Sequence, residues 1–321
     1  MRNPLSSLGR SLLAVPLLFA CSSSTNATGA AARKGVVTYS TPDDEIHTID
    51  LATRTDTKLL DGTEADRAPD GTLLFIDDVD VGPPKKLSRA AADGTGKTAL
   101  LTPGPTTAYF NPVVSPDGAM IAMTYYPRGF SHTLAPEDGT VVLDAAGKVV
   151  ANLAGVFDPS WLNDGRLVLA GTVHTPSGNA QAEPTDTPKA AGLFIASADF
   201  ATVTPIAIAG ATAPMTPDVS PDGSRVVFQE NDHAFVVSID GSGLRQLTTG
   251  DFLESYPAFS PDGKSIVVQS FGTYGGPKPY IALAVLPVDA DAPVAIAADS
   301  PALVRDAKGD LLTAIQHMRW R

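Results

Sequence analysis

The chain has 321 residues, of which 43% are hydrophobic and 18% charged, and its formal net charge is −12. It is therefore long and apolar enough for a sizeable core, while the acidic balance argues against a nucleic-acid surface, which needs clustered Lys and Arg. One cysteine excludes a disulfide framework and a cysteine-based zinc site, and 28 glycines with 27 prolines point to many turns.

Arg2 and Arg10 precede or flank short polar sequence, and residues 12–20 then read LLAVPLLFA without a charge. That run is too short to span a bilayer, which needs about 20 residues, but it fits the apolar centre of a secretory signal. The only cysteine, Cys21, follows directly. Leu18 and Ala20 before Cys21 resemble the bacterial lipobox, from which Phe19 departs by its bulk. The resemblance implies cleavage before Cys21, a diacylglycerol on its thiol, and a place in the bacterial envelope, at the outer membrane or the cell surface. Ser22 suits outer-membrane sorting in the same picture. Loss of residues 1–20 would take the net charge from −12 to −14, leaving the lipid rather than basic residues as the membrane anchor. Residues 21–34, small and polar, are expected to be a flexible tether.

From residue 35 onward one pattern recurs: RAPDGTLLFID, VVSPDGAMIAMTY, SWLNDGRLVLAGT, DVSPDGSRVVFQE and AFSPDGKSIVVQS. Its glycines, Gly71, Gly118, Gly165, Gly223 and Gly263, are 47, 47, 58 and 40 residues apart, and residues 35–321 hold six such units. In Ser-Pro-Asp-Gly, Pro presets the first turn position, Asp accepts from nearby amides, and Gly takes a positive φ. Asp70, Asp117, Asp164, Asp222 and Asp262 therefore read as turn builders and not as catalytic carboxylates.

These repeats resemble the TolB-type, WD40-like propeller repeat. The resemblance implies an all-β fold: a six-bladed β-propeller of four-stranded antiparallel blades over residues 35–321. Each blade starts with an inner strand ending in an aromatic before the turn, the place of Trp161 and Phe259, with Val114 and Val219 in two others. Arg67 stands there in the first copy, so that inner strand is expected to form poorly. Residues 35–40, 45–51 and 57–62 read as a blade lacking its first strand. Residues 311–320, with Trp320 in the aromatic place, supply it, and pairing them with residues 35–40 would remove an open edge.

In such a meander the Asp-Gly turns and other short connections share one face. Long connections, residues 78–85, 127–138, 173–191 and 271–279, share the other, where loops on a rigid scaffold usually bind. Phe130, His132, His174, Phe271 and Tyr274 are the candidate binding rim. Catalytic patterns are thin: there is no Gly-x-Ser-x-Gly elbow, and the five histidines lack metal-ligand spacing. His47, His233 and His317 read as strand histidines. No cofactor is expected, and the acidic stretches DDVD and VDADAP read as solvated turns. The expectation is a monomeric, envelope-anchored, non-catalytic scaffold binding an envelope or periplasmic protein. The alternative is a propeller that binds, or acts on, a small molecule or glycan through the long-loop face or the central channel. Fold alone does not choose between them.

Overall fold

The computed structural model describes residues 33–77, 85–128, 137–171, 191–273 and 280–321. Among them every named element is a strand. The chain begins with β1 (Val36–Ser40), β2 (Glu45–Asp50) and β3 (Thr55–Asp61). Four meanders follow. They are β4 (Thr63–Arg67), β5 (Leu73–Asp77), β6 (Lys86–Ala90) and β7 (Thr98–Leu101); then β8 (Ala108–Val114), β9 (Met120–Tyr126), β10 (Gly139–Asp144) and β11 (Val149–Ala154). Next come β12 (Phe157–Trp161), β13 (Leu167–Ala170), β14 (Leu193–Ala196) and β15 (Val203–Pro205), and β16 (Met215–Val219), β17 (Arg225–Glu230), β18 (His233–Ser238) and β19 (Arg245–Gln246). The last stretch holds β20 (Thr248–Thr249), β21 (Leu253–Phe259), β22 (Ser265–Gly272), β23 (Tyr280–Pro287), β24 (Val294–Ala295) and β25 (Ile315–Trp320).

The sheets form six blades. Blade 1 has the order β25-β1-β2-β3, and blades 2 to 5 are β4–β7, β8–β11, β12–β15 and β16–β19, all antiparallel. Blade 6 is β21-β22-β23, and its fourth place is filled by the segment after β24. Val285 N donates to Ala302 O and Val304 N to Leu283 O, both at 2.8 Å. Each inner strand (β25, β4, β8, β12, β16, β21) packs against the next, and β21 meets β25 to close the ring.

Closure follows the expected pairing over part of its length. Val37 pairs with Trp320 and Thr38 with Arg319, and Val36 and Arg321 exchange backbone bonds of 2.9 and 3.0 Å. Residues 311–314 do not join this strand. Leu312 O instead accepts from Leu283 N, and Leu311 bridges Arg305. The reason is that blade 6 has no regular fourth strand, so the preceding segment is drawn into satisfying the open side of β23.

The second correction concerns Arg67. Inner strand β4 forms in full and pairs with β5 from Thr63 to Arg67. Arg67 keeps its guanidinium at the strand end, donating to Gly71 O and Ala92 O, so the cation does not have to be buried unpaired.

The repeated turns are built as read. Ser115, Ser220 and Ser260 donate their hydroxyls to Asp117, Asp222 and Asp262, whose carboxylates accept from the amides two residues on. These bonds, from Ser220 first, hold the Asp222 carboxyl down at about 2. The turn glycines all take positive φ, from 67° at Gly263 to 90° at Gly71.

The core lies between blades. Second strands are sandwiched by neighbouring sheets on both faces, so they read as unbroken apolar runs. Leu73, Leu74, Phe75 and Ile76 of β5 are all 5% exposed or less, and Val226, Val227 and Phe228 of β17 are fully buried. Outer strands such as β3 and β11 alternate or face solvent.

Candidate functional site

The inner strands carry a device that positions the channel. In all six, one non-glycine residue has a positive φ: Glu64 (52°), Asn111 (49°), Asp158 (50°), Thr216 (49°), Tyr256 (51°) and Gln316 (59°). Each lies in the inner strand's register shift, a bulge repeated around the ring. In four blades the next residue is proline (Pro112, Pro159, Pro217, Pro257), which has no N–H to give the ladder and so belongs in a bulge. The bulge shifts the alternation of side chains, turning polar residues toward the next blade and the channel.

Those side chains stitch the ring in two tiers. In the middle tier, Asn111 N donates to Glu64 Oε2 at 2.8 Å, and the Thr216 amide donates to the Asp158 carboxylate. Nearer the Asp-Gly turns, Val114 N donates to Asp66 Oδ2 at 2.9 Å, Val219 N to Ser160 Oγ at 3.0 Å, and Phe259 N to Asp218 Oδ2 at 2.8 Å. Every acceptor lies one blade before its donor. Burial pushes the Asp158 and Asp218 carboxyls up, against the amide bonds and nearby cations that favour ionisation.

Above the second tier a cavity of about 530 Å³ opens on the turn face. Its rim is formed by the turn residues Pro69, Pro116, Pro221 and Pro261, and its wall includes Val113, Trp161 and Phe259. Asp66, Asp218, Arg319 and Arg321 place charge in the floor, and Arg67 adds a third guanidinium at the side of β4. Arg321 Nη2 lies 3.1 Å from Asp66 Oδ1, and Asp66 holds the Arg321 guanidinium up. Arg319 donates to Asn111 Oδ1 and has Nε 3.9 Å from Asp66. Among the described residues that line the cavity there is no His, Lys, Cys or Tyr. Of its three serines, Ser115 and Ser220 donate to the turn aspartates, and Ser160 donates to Asp218 at 3.3 Å, with both of that pair tied to the backbone of the next blade. This is a mixed-charge bowl with apolar walls, suited to holding polar and apolar groups of a ligand together.

Of the rim inferred from the long loops, the described member is Phe271, which does not line this cavity. Phe271 lies near the end of β22, 39% exposed and paired with Leu253 and Ile281. Phe130, His132, His174, Tyr274 and Cys21 fall outside the described residues. Among the strand histidines, His47 bonds Asp56 (3.0 Å) and Glu45 (3.1 Å), and His233 bonds the buried Glu254 at 2.9 Å. His317 instead faces the channel. Within the VDADAP stretch, Asp289 is paired with Arg225 at 2.8 Å. Among the described residues, no group of three His, Cys, Asp or Glu side chains is placed to hold a metal ion. The floor residues Asp66, Asp218, Arg319 and Arg321 were not singled out by sequence. The signal available was the Pro lying four residues before the turn Pro or Asn in four repeats, which marks the bulge.

No protein-family model matches the sequence, and no curated protein matches it. Solved structures do. TolB from Acinetobacter baumannii superposes with a TM-score of 0.61 at 12% identity, over 89% of this chain and 66% of that one. The fold is a TolB-like propeller. A chain of a nidogen/laminin complex gives a TM-score of 0.60 at 11% identity, over 89% and 97% of the two chains. An oligogalacturonate lyase in complex with manganese gives 0.50 at 15% identity, over 75% and 67%. The chain thus spans about two thirds of that TolB, and one fold serves proteins of unlike activity, so function has to be argued from the site.

Proposed function

We propose that this chain is an envelope-anchored lipoprotein whose propeller is a non-catalytic protein-binding scaffold, with the turn-face bowl as its docking point. The observation that carries the reading is the bowl itself: a cavity of about 530 Å³ with two arginines and two aspartates in its floor and Trp161 and Phe259 in its wall. Its aspartates and Ser160 are engaged in holding neighbouring blades together, which favours recognition over acid–base chemistry at those groups. The likeness to TolB and to a chain of the nidogen/laminin complex supports a propeller used for binding. Cys21, through a lipid, would hold the scaffold at the membrane.

The test is a photo-crosslinker placed at Asn163 on the bowl rim, or at Phe271 on the opposite rim, in intact cells. A defined protein captured from Asn163 and not from Phe271 supports the bowl. Capture from Phe271 alone returns the function to the long-loop face. The rival reading, a glycan- or metabolite-binding propeller, draws on the likeness to the lyase. It predicts a thermal shift with a sugar acid or other small polar ligand and no protein captured from either position.

A further inference from the structure

We propose that His317 is a proton-operated latch across the channel, its imidazolium form tying the C-terminal strand to blade 2 through Glu64 and to blade 4 through Asp158. This inference is independent of what docks in the bowl. Its basis is a three-residue geometry at mid-channel. His317 Nδ1 lies 3.7 Å from Glu64 Oε1 and Nε2 lies 3.6 Å from Asp158 Oδ1. Blade 4 is opposite blade 1 in the ring, so the imidazole reaches over the bore to a blade that its own strand does not adjoin. Glu64 is 4% and Asp158 6% exposed.

Both ring nitrogens of His317 are buried without a hydrogen-bond partner, as is Asp158 Oδ2. The gaps are longer than a hydrogen bond and shorter than a water-bridged contact. A neutral imidazole has one donor and one acceptor nitrogen, so either tautomer turns a lone pair toward a carboxylate. Only the doubly protonated ring offers a donor to each side, and shifts of under 1 Å or so would complete both bonds.

The other groups around the ring are compatible with this. From β21, the Tyr256 ring stands edge-on at 4.7 Å, and burial keeps its phenol protonated far above the usual range. From its own strand, Arg319 is turned to Asn111 of β8 and toward Asp66. From β16 come the uncharged Thr216 and, closer to the bowl, Asp218, which is tied to Phe259 N. Among the described residues, the side chain within 4 Å of both Glu64 and Asp158 is His317, while Arg319 acts on Asp158 from further off. With both ring nitrogens donating, one to Glu64 and one to Asp158, the closing strand is gripped from two blades.

The experiment follows hydrogen exchange of the β25 amides in the full chain between pH 8 and pH 5.5, as protection factors corrected for intrinsic exchange. Protection of residues 317–320 is expected to rise about tenfold on acidification relative to β13, which lies outside the trio's strands. The rise should vanish in His317→Gln and shrink in Asp158→Asn. Flat protection in the unaltered chain, or an equal rise in H317Q, overturns the proposal. Should H317Q not fold, ring-nitrogen NMR of the unaltered protein decides. A ring that gains its second proton in step with β25 protection supports the latch, and a ring unchanged across that range overturns it.

Discussion

Asp66→Ala is the sharpest perturbation of the ring. Asp66 is fully buried at the start of the circle, and its carboxylate accepts from Val114 N of the next blade (2.9 Å) and from Arg67 N (2.8 Å). It also faces Arg321 at 3.1 Å and Arg319 at 3.9 Å. Alanine would orphan the buried Val114 amide at about 1–3 kcal/mol, and would take from Arg319, 7% exposed, the carboxylate at 3.9 Å. Breaking a buried charge pair from one side costs about 3–5 kcal/mol, and the half-exposed Arg321 adds little because solvent screens it. Together these costs come to about 4–8 kcal/mol, or a Tm lowered by roughly 7–13 °C. Urea and thermal unfolding followed by circular dichroism read it directly. Asp66→Asn, which keeps an acceptor oxygen, should fall between the two. A loss under about 1 kcal/mol for D66A would refute the idea that these carboxylates hold the blades together.

Three further outcomes are expected. The Asp56 hydrogen bond, with help from Glu45, raises the His47 pKa against the effect of burial. Its contribution to stability is therefore full below the unfolded value of about 6.5 and is lost as pH rises through the raised folded value. Denaturant titrations should show the stability gap between the native chain and His47→Gln closing across that window; a gap that widens with pH contradicts the pairing. Deleting residues 315–321 removes β25 and should abolish cooperative unfolding, because β1 loses its inner partner and the ring its closure; calorimetry with an unchanged transition would count against this. Cys21→Ser should release the protein from membranes and end its labelling by palmitate, and a variant still in the membrane fraction would refute the lipid anchor.

The turns and the blade count are legible in the sequence because their chemistry is local. Each Ser-Pro-Asp-Gly closes on itself through bonds two residues long, and the apolar runs after it can only be strands buried on both faces. The fate of residues 311–314 is not local: it depends on the unfilled side of β23, where Leu283 N meets Leu312 O across 29 residues. The channel was harder still. An inner strand read with regular alternation does not pair Asp66 with Val114, or bring His317 to Asp158, because the bulge at the positive-φ residue resets the phase. Asn111-Pro112, Asp158-Pro159, Thr216-Pro217 and Tyr256-Pro257 announce that bulge, but only to a reader who already knows that these are inner strands. Arg67 is a related case: the strand end tolerates a cation because its bonds go to two carbonyls outside the strand.

The central claim is that a protein partner docks in the turn-face bowl, and binding by a filled bowl tests it most directly. Asn163 is exposed and lines the cavity, so Asn163→Trp puts an indole at its mouth, losing one exposed hydrogen bond to Pro221 O and touching none of the buried core. Titration calorimetry of the captured partner against both proteins should show N163W binding at least about tenfold more weakly, with Tm lowered by no more than about 2–3 °C for the lost hydrogen bond. Equal affinity for the two would contradict the account.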